Sequence, residues 1–264
     1  MGELRLPYTP RVVGEKTAFN ALRREDFERF NPGILGLGDI SREGTAVEAL
    51  AAIYDLEGFT AFCGQDDSDL FVHDFLAQFL AWLFAQTAQS FTHEKNDEEV
   101  LVWGRLPFFA KFLGDGVLFL WDTNPPDDRL RGPRLMGGMV LGLLKTCLDY
   151  QRDFLPRARK KFAAPPARLR CGVARGRVLS VGDGQDFIGP CINLASRLQK
   201  LPPLSFAVSA KGFDAEKALH PDDVGHFAAK QVRVRGLKTP QLVYVLADEA
   251  RRLTAAEREE FQDP

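Results

Sequence analysis

The sequence predicts an α+β fold: a β-α-β-β-α-β core with additional α and β elements toward its carboxyl end. Three observations carry that expectation. Glu48 to Tyr54 is a short, nearly continuous apolar run of the kind a central strand requires. Asp69 to Thr92 repeats apolar residues at Leu70, Phe71, Phe75, Phe79, Leu80, Leu83 and Phe84, close to helical spacing, and supplies a helix to cover one sheet face. Phe108 to Leu113 and Val117 to Trp121 flank Gly114-Asp115-Gly116 as a hairpin, because glycine and aspartate tolerate the positive φ that such turns need.

Taken in order, residues 1–45 form an amino-terminal extension. Pro7, Pro10 and Pro32 interrupt it, one charged helix is expected over Phe19 to Phe30, and Gly33 to Gly38 reads as loop. After the first strand and helix, Glu94 to Glu99 is a solvated acidic turn and Val100 to Trp103 a further β-like run. Asn124-Pro125-Pro126-Asp127-Asp128 stops the hairpin, Leu135 to Phe154 is a second long helix, and Leu169 to Val173 a strand. This order is the split βαβ or ferredoxin-like arrangement. Beyond it, Arg177 to Val181 is a strand, Cys191 to Leu201 a helix, Phe206 to Ser209 a strand and Ala210 to Leu219 a helix. Val232 to Arg235 and Leu242 to Leu246 read as an edge hairpin, and Asp248 to Pro264 as a charged tail helix. Residues 46–247 are expected to be one domain, and 248–264 its tail.

A formal charge of −2, 45% hydrophobic and 27% charged residues describe an ordinary globular chain with no electrostatic case for nucleic acid. Cys63, Cys147, Cys171 and Cys191 are scattered without metal or redox spacing, which fits a reducing cytoplasm. Met1-Gly2-Glu3-Leu4-Arg5 has no apolar signal region, so secretion is not expected. Phe75 to Thr92 is uncharged but carries Gln78, Gln86, Gln89 and Ser90, so it reads as a packed helix and not as a membrane span.

The chemistry begins at Asp55, where an apolar run ends and a tight Gly58-Phe59-Thr60 turn follows, opening backbone N–H groups toward an anion. Asp115 offers a second carboxylate in the hairpin turn. Each acid alone has a structural reading, Asp55 as a helix cap and Asp115 as a turn former. Together, two strand-end carboxylates beside such a turn suit hard cations that take their remaining ligands from phosphates. Asn193 and Arg197, four residues apart, share one face of a helix, where an amide and a guanidinium can hold a ribose and a charged phosphorus centre.

These motifs, in this order over Glu48 to Leu246, resemble the catalytic domain of class III nucleotide cyclases. The resemblance implies an enzyme that converts a nucleoside triphosphate to a 3′,5′-cyclic nucleotide and pyrophosphate. It implies that Asp55, Asp115 and the Leu56 carbonyl bind two divalent metal ions, Mg²⁺ or Mn²⁺. It implies further that Gly58, Phe59 and Thr60 receive the triphosphate, that Arg177 and Arg235 contact phosphate, that Asn193 orients the ribose and that Arg197 stabilises charge at the α-phosphate. Family sites lie at a head-to-tail interface and this chain carries both halves, so a homodimer with shared sites is expected. A degenerate cyclase fold that only binds nucleotide is the non-enzymatic alternative.

By the same resemblance, Lys111 and Asp186 face the base. A donor and an acceptor match adenine, and equally uracil or cytosine, while guanylate cyclases typically carry glutamate and cysteine there. Tyr54 and the aromatic run Trp103, Phe108, Phe109 and Phe112 are candidates to narrow the pocket around a smaller ring, or else ordinary core aromatics. A compact cyclase resembles the pyrimidine cyclases of Pycsar antiphage systems, whose cyclic UMP or cyclic CMP triggers a separate effector. UTP, then CTP, is therefore the expected substrate, with ATP as the alternative. Ala174-Arg175-Gly176 and Pro190 depart from the family pattern and leave the loop near Asp186 open.

Overall fold

The computed structural model describes residues 6–13, 17–21, 23–29, 31–41, 43–95, 98–124 and 132–264. In chain order it forms β1 (Thr9–Val13), β2 (Thr17–Ala21), α1 (Arg24–Glu28), β3 (Ala46–Glu57), α2 (Phe59–Cys63), α3 (Ser68–Phe91), β4 (Thr92–Lys95), β5 (Val100–Val102), β6 (Phe109–Phe112) and β7 (Gly116–Asp122). There follow α4 (Pro133–Asp149), α5 (Leu155–Ala158), β8 (Arg168–Val181), β9 (Asp186–Ile188), α6 (Pro190–Leu198) and β10 (Phe206–Ser209). The chain closes with α7 (Ala215–Ala218), α8 (Pro221–Val224), β11 (Phe227–Val232), β12 (Gln241–Leu246), α9 (Ala247–Arg252), α10 (Ala255–Glu260) and β13 (Phe261–Gln262).

Two compact units emerge: residues 1–46 with 179–188, and residues 47–178 with 189–264. In the first, β1 pairs antiparallel with β2, and the end of β8 pairs antiparallel with β9. The Ser180 N–H of that β8–β9 hairpin donates to the Thr45 carbonyl, and the Asp183 N–H to that of Leu37. The expected helix over Phe19 to Phe30 shrinks to α1, because Thr17 to Ala21 is extended by pairing with β1. Thr17 and Phe19 favour that state by propensity, and α1 begins after Arg23, an N-cap whose side chain makes no capping hydrogen bond.

The second unit holds the predicted core. Its sheet runs β13-β11-β12-β10-β8-β3-β7-β6, so the four core strands β3, β6, β7 and β8 take the order β8-β3-β7-β6 expected of a split βαβ fold. β3 is buried from Ala49 to Leu56 because its alternate residues serve both faces. Leu50, Ala52, Tyr54 and Leu56 point to the face packed by α3 and α4, where Phe75, Phe79, Leu83 and Phe91 recur every four residues or a multiple of four along α3 as one buried stripe. A second apolar cluster, with Leu198, Ala207, Val243, Val245 and Phe261, packs the carboxyl-terminal half.

Several boundaries differ from the sequence reading. Leu169 to Val173 and Arg177 to Val181 are one continuous strand, because Ala174, Arg175 and Gly176 do not break an extended backbone. The Ala210–Leu219 helix reduces to the one turn of α7, after a loop through Gly212. Arg235 lies beyond β11, not in a strand. Leu101 and Val100 pair with β4 in a separate two-stranded sheet. The tail is not one helix: α9 and α10 precede β13, which pairs with β11 and buries Phe261.

The helix expected over Leu135 to Phe154 is present, with α4 passing into a π-helical turn at Tyr150–Phe154. Asp149, wholly buried at that junction, accepts hydrogen bonds from Gln86 of α3 and from Lys145 and Arg152. A carboxylate so placed joins the two covering helices. Asp149→Ala is expected to destabilise the fold by about 2–3 kcal/mol, since the amide of Gln86 loses its partner and two cations lose theirs. An unchanged urea midpoint would contradict this role.

Candidate active site

Strand pairing builds the acidic corner. Asp55 stands opposite Gly116 in the β3–β7 ladder, and the Leu56 N–H donates to the Asp115 carbonyl at 3.0 Å. The turn between β6 and β7 closes with the Leu113 N–H donating to the Gly116 carbonyl at 2.8 Å. Gly58 and Gly114 both sit at positive φ, 88° and 96°, where a side chain would strain the backbone. Immediately after Gly58, α2 presents the first-turn N–H groups of Phe59 and Thr60, which have no acceptor within a helix. The Phe59 ring turns away into the aromatic cluster of Phe62 and Phe75 and anchors the turn.

One residue that the sequence analysis does not name meets the acidic corner. Arg170 of β8 ion-pairs with Asp55, its Nε and Nη2 both donating to Oδ2, with Nε at 3.2 Å. Next to it, Arg168 grips Glu57 through two parallel hydrogen bonds of 2.6 and 3.0 Å. The signal was present as Arg168-Leu169-Arg170-Cys171, an alternation that puts two arginines on one strand face.

The electrostatics follow from this geometry. Burial pushes the Asp55 carboxyl above the ordinary aspartate range, Arg170 opposes that push, and the neighbouring Asp115 adds to it. The Arg168 hydrogen bonds hold Glu57 below its usual value. Among the described residues no group of three or more His, Cys, Asp or Glu is gathered to hold a metal. The corner nevertheless suits a hard cation: two carboxylates and a backbone carbonyl are all oxygen donors, and Asp55 Oδ1 makes no hydrogen bond among the described residues.

The remaining candidates fall into separate places. Lys111 stands opposite Leu118 of β7, and Leu118 opposite Ile53 of β3, so Lys111 shares the sheet face of Asp55. Half-buried Phe109 lies two residues earlier on that face. On α6, Asn193 is exposed and Arg197 half-buried. The Arg197 guanidinium lies against Gly236, where a Cβ would stand 3.1 Å from Nη2, which brings Arg197 to the loop that carries Arg235. Asp186 belongs to the first unit, where its Oδ1 accepts from the Phe187 N–H.

Arg177 is exposed and stands seven residues beyond Arg170 on the same strand, about 23 Å from its own chain's acidic corner. One expectation is corrected. Tyr54 is fully buried on the opposite face from Asp55, its hydroxyl donating to the Leu143 carbonyl of α4 at 3.2 Å and its ring edge-on to Phe119. Strand alternation is the reason: with Asp55 turned to the sheet face opposite α3 and α4, its neighbour must enter the core beneath those helices. Trp103 likewise stacks on Phe91 and donates to the Ser90 carbonyl. Tyr54→Phe should therefore cost about 1 kcal/mol in a thermal or denaturant melt. It should leave nucleotide preference unchanged, and a change in that preference would restore Tyr54 to the base pocket.

Comparison with known proteins returns no match to any family model and no match to a curated protein. Solved structures do match. The adenylyl cyclase CyaB from P. aeruginosa superposes with a TM-score of 0.55 at 17% identity, over 81% of this chain and 100% of that one. Two structures of a bacterial light-regulated adenylyl cyclase each give 0.52, at 16% and 14% identity, covering 81% and 85% of this chain and 56% and 60% of theirs. The chain thus has the fold of these cyclases.

Proposed function

We propose that this cyclase-like fold is an active nucleotide cyclase, converting a nucleoside triphosphate to a 3′,5′-cyclic nucleotide and pyrophosphate. The supporting observation is the acidic corner itself, Asp55 and Asp115 on adjoining strand ends beside the open turn at Gly58. Asp55, Asp115 and the Leu56 carbonyl would hold two divalent cations. When bound, Mg²⁺ or Mn²⁺ supplies positive charge at the attacking and leaving oxygens.

The chain's own groups do the rest. N–H groups of Phe59 and Thr60, with Arg177, receive the triphosphate. Arg235 adds a phosphate contact. Asn193 orients the ribose so that its 3′-oxygen lies in line with the α-phosphorus. The 3′-hydroxyl gives its proton to solvent water, its oxygen bonds to the α-phosphorus, the bond from that phosphorus to the oxygen bridging to the β-phosphate breaks, and pyrophosphate leaves; Arg197 stabilises the charge that develops. The two halves belong to different copies of a homodimer in this reading. Mixing inactive Asp55→Asn with inactive Arg197→Ala should then restore roughly a quarter of wild-type activity, the yield of random pairing in two-site dimers. No restoration would reject the shared site.

For the base, the proposed substrate is UTP, ahead of CTP, with Lys111 donating to a ring acceptor and Asp186 accepting from a ring N–H or amine. Phe109 beside Lys111 favours a small ring. The same donor and acceptor support ATP as the second reading, and the structural neighbours named above are adenylyl cyclases. With UTP and ATP at equal concentration, cyclic UMP as the main product supports the first reading and cyclic AMP alone replaces it with the second. The cyclic product would serve as a second messenger for a separate effector, as the likeness to Pycsar systems implies.

A further inference from the structure

A cavity of about 420 Å³ opens among the start of α4, the end of β7 and the loop from Ala210 to Asp214, within the second unit. It is distinct from the acidic corner. Arg175, which lines it, stands five residues beyond Arg170 on β8, and the odd count turns it to the opposite sheet face.

The guanidinium is held in place. Its Nε donates to Thr123 Oγ1 at 3.1 Å, and that hydroxyl spends its own proton on the Glu48 carbonyl at 2.9 Å, so it can only accept from the arginine. Beneath the side chain lies Gly212, where a Cβ would stand 3.2 Å from Arg175 Cδ. Among the described residues no carboxylate pairs with Arg175, and its two Nη groups make no hydrogen bond. A half-buried cation satisfied only by a neutral hydroxyl is an incomplete arrangement. Lys217, also on the lining, is paired with Asp214 at 2.7 Å, so among the described residues the three lining charges sum to one net positive charge. Buried Met136 and Phe213 supply apolar wall.

We propose that this cavity binds a small organic carboxylate. The open Nη edge suits the two oxygens of a planar carboxylate, and a single net positive charge matches a monoanion better than a phosphate dianion. The apolar wall takes the body of the molecule, and the volume falls in the range of small-molecule sites. The site stands whether or not the chain turns over nucleotide.

Titration of the full chain with benzoate and butyrate, followed by ¹H line broadening, and with inorganic phosphate, followed by ³¹P, tests this directly. Saturable binding of a carboxylate is expected, weakened ~tenfold or more in Arg175→Met and unchanged in Arg157→Met, whose side chain is exposed elsewhere. Should Arg175→Met fail to fold, Lys217→Glu changes an exposed side chain and inverts the net charge of the cavity, and carboxylate binding must then disappear. Binding that survives either substitution, preference for phosphate, or no saturable binding of any probe overturns the proposal.

Discussion

Asp55→Asn removes turnover with every nucleoside triphosphate, by at least ~10²–10³-fold, the range found when one charge-stabilising group is taken from a transition-state site. The substitution keeps the size of the side chain and an oxygen that can still accept from Arg170, while the negative charge that recruits a cation is gone. Folding should suffer less than chemistry. Asp55 and Arg170 are mostly buried, with side-chain exposures of 6% and 17%, so loss of their ion pair is expected to cost about 1–3 kcal/mol, within what the rest of the core can absorb. The two effects separate by measurement: a cooperative melt near that of the wild type, with turnover absent. Near-wild-type turnover in Asp55→Asn would remove the acidic corner from the mechanism.

Gly172→Ala tests the other half of the site from a position that touches no substrate. Gly172 of β8 faces α6, and a Cβ there would stand 2.1 Å from the Ala195 carbonyl oxygen and 2.4 Å from the Gln199 nitrogen. Both are backbone atoms, so no rotamer change relieves the clash and the helix itself must shift. α6 carries Asn193 and Arg197, and a displacement of about 1 Å in positioning groups costs ~10²-fold in rate. Overpacking should add about 1–3 kcal/mol of destabilisation. The expected result is a folded protein with a lower melting temperature and a kcat loss larger than any change in KM. Full activity in a variant whose melt has fallen would mean that α6 is structural only.

Much of the fold was legible because the two periodicities are strong. The stripe of Phe75, Phe79, Leu83 and Phe91 announces α3, and the run ending in Asp55 announces a central strand with an acid at its rim. The Gly-Asp-Gly hairpin follows from turn chemistry, and sheet pairing then brings Asp115 to Asp55 without further information. What escaped the sequence reading escaped for physical reasons. Local pattern does not say that Ala174 to Gly176 stay extended within β8, nor that the tail breaks into two helices so that Phe261 can enter the core. Arg170 and Tyr54 are different cases, because alternation alone decides both. Once Asp55 is turned away from α3 and α4, Tyr54 must face them, and the arginines at alternate positions of β8 become candidates to meet the acid.

The central claim is that the acidic corner serves cyclisation. Purified chain, incubated with each of the four ribonucleoside triphosphates and Mn²⁺, should yield a 3′,5′-cyclic nucleotide and pyrophosphate in equal amounts from at least one of them, identified by mass and by digestion with a 3′,5′-specific phosphodiesterase. Triphosphate binding without any cyclic product, under conditions where the protein is folded and metal is present, would contradict the account and leave a nucleotide-binding protein on a cyclase fold.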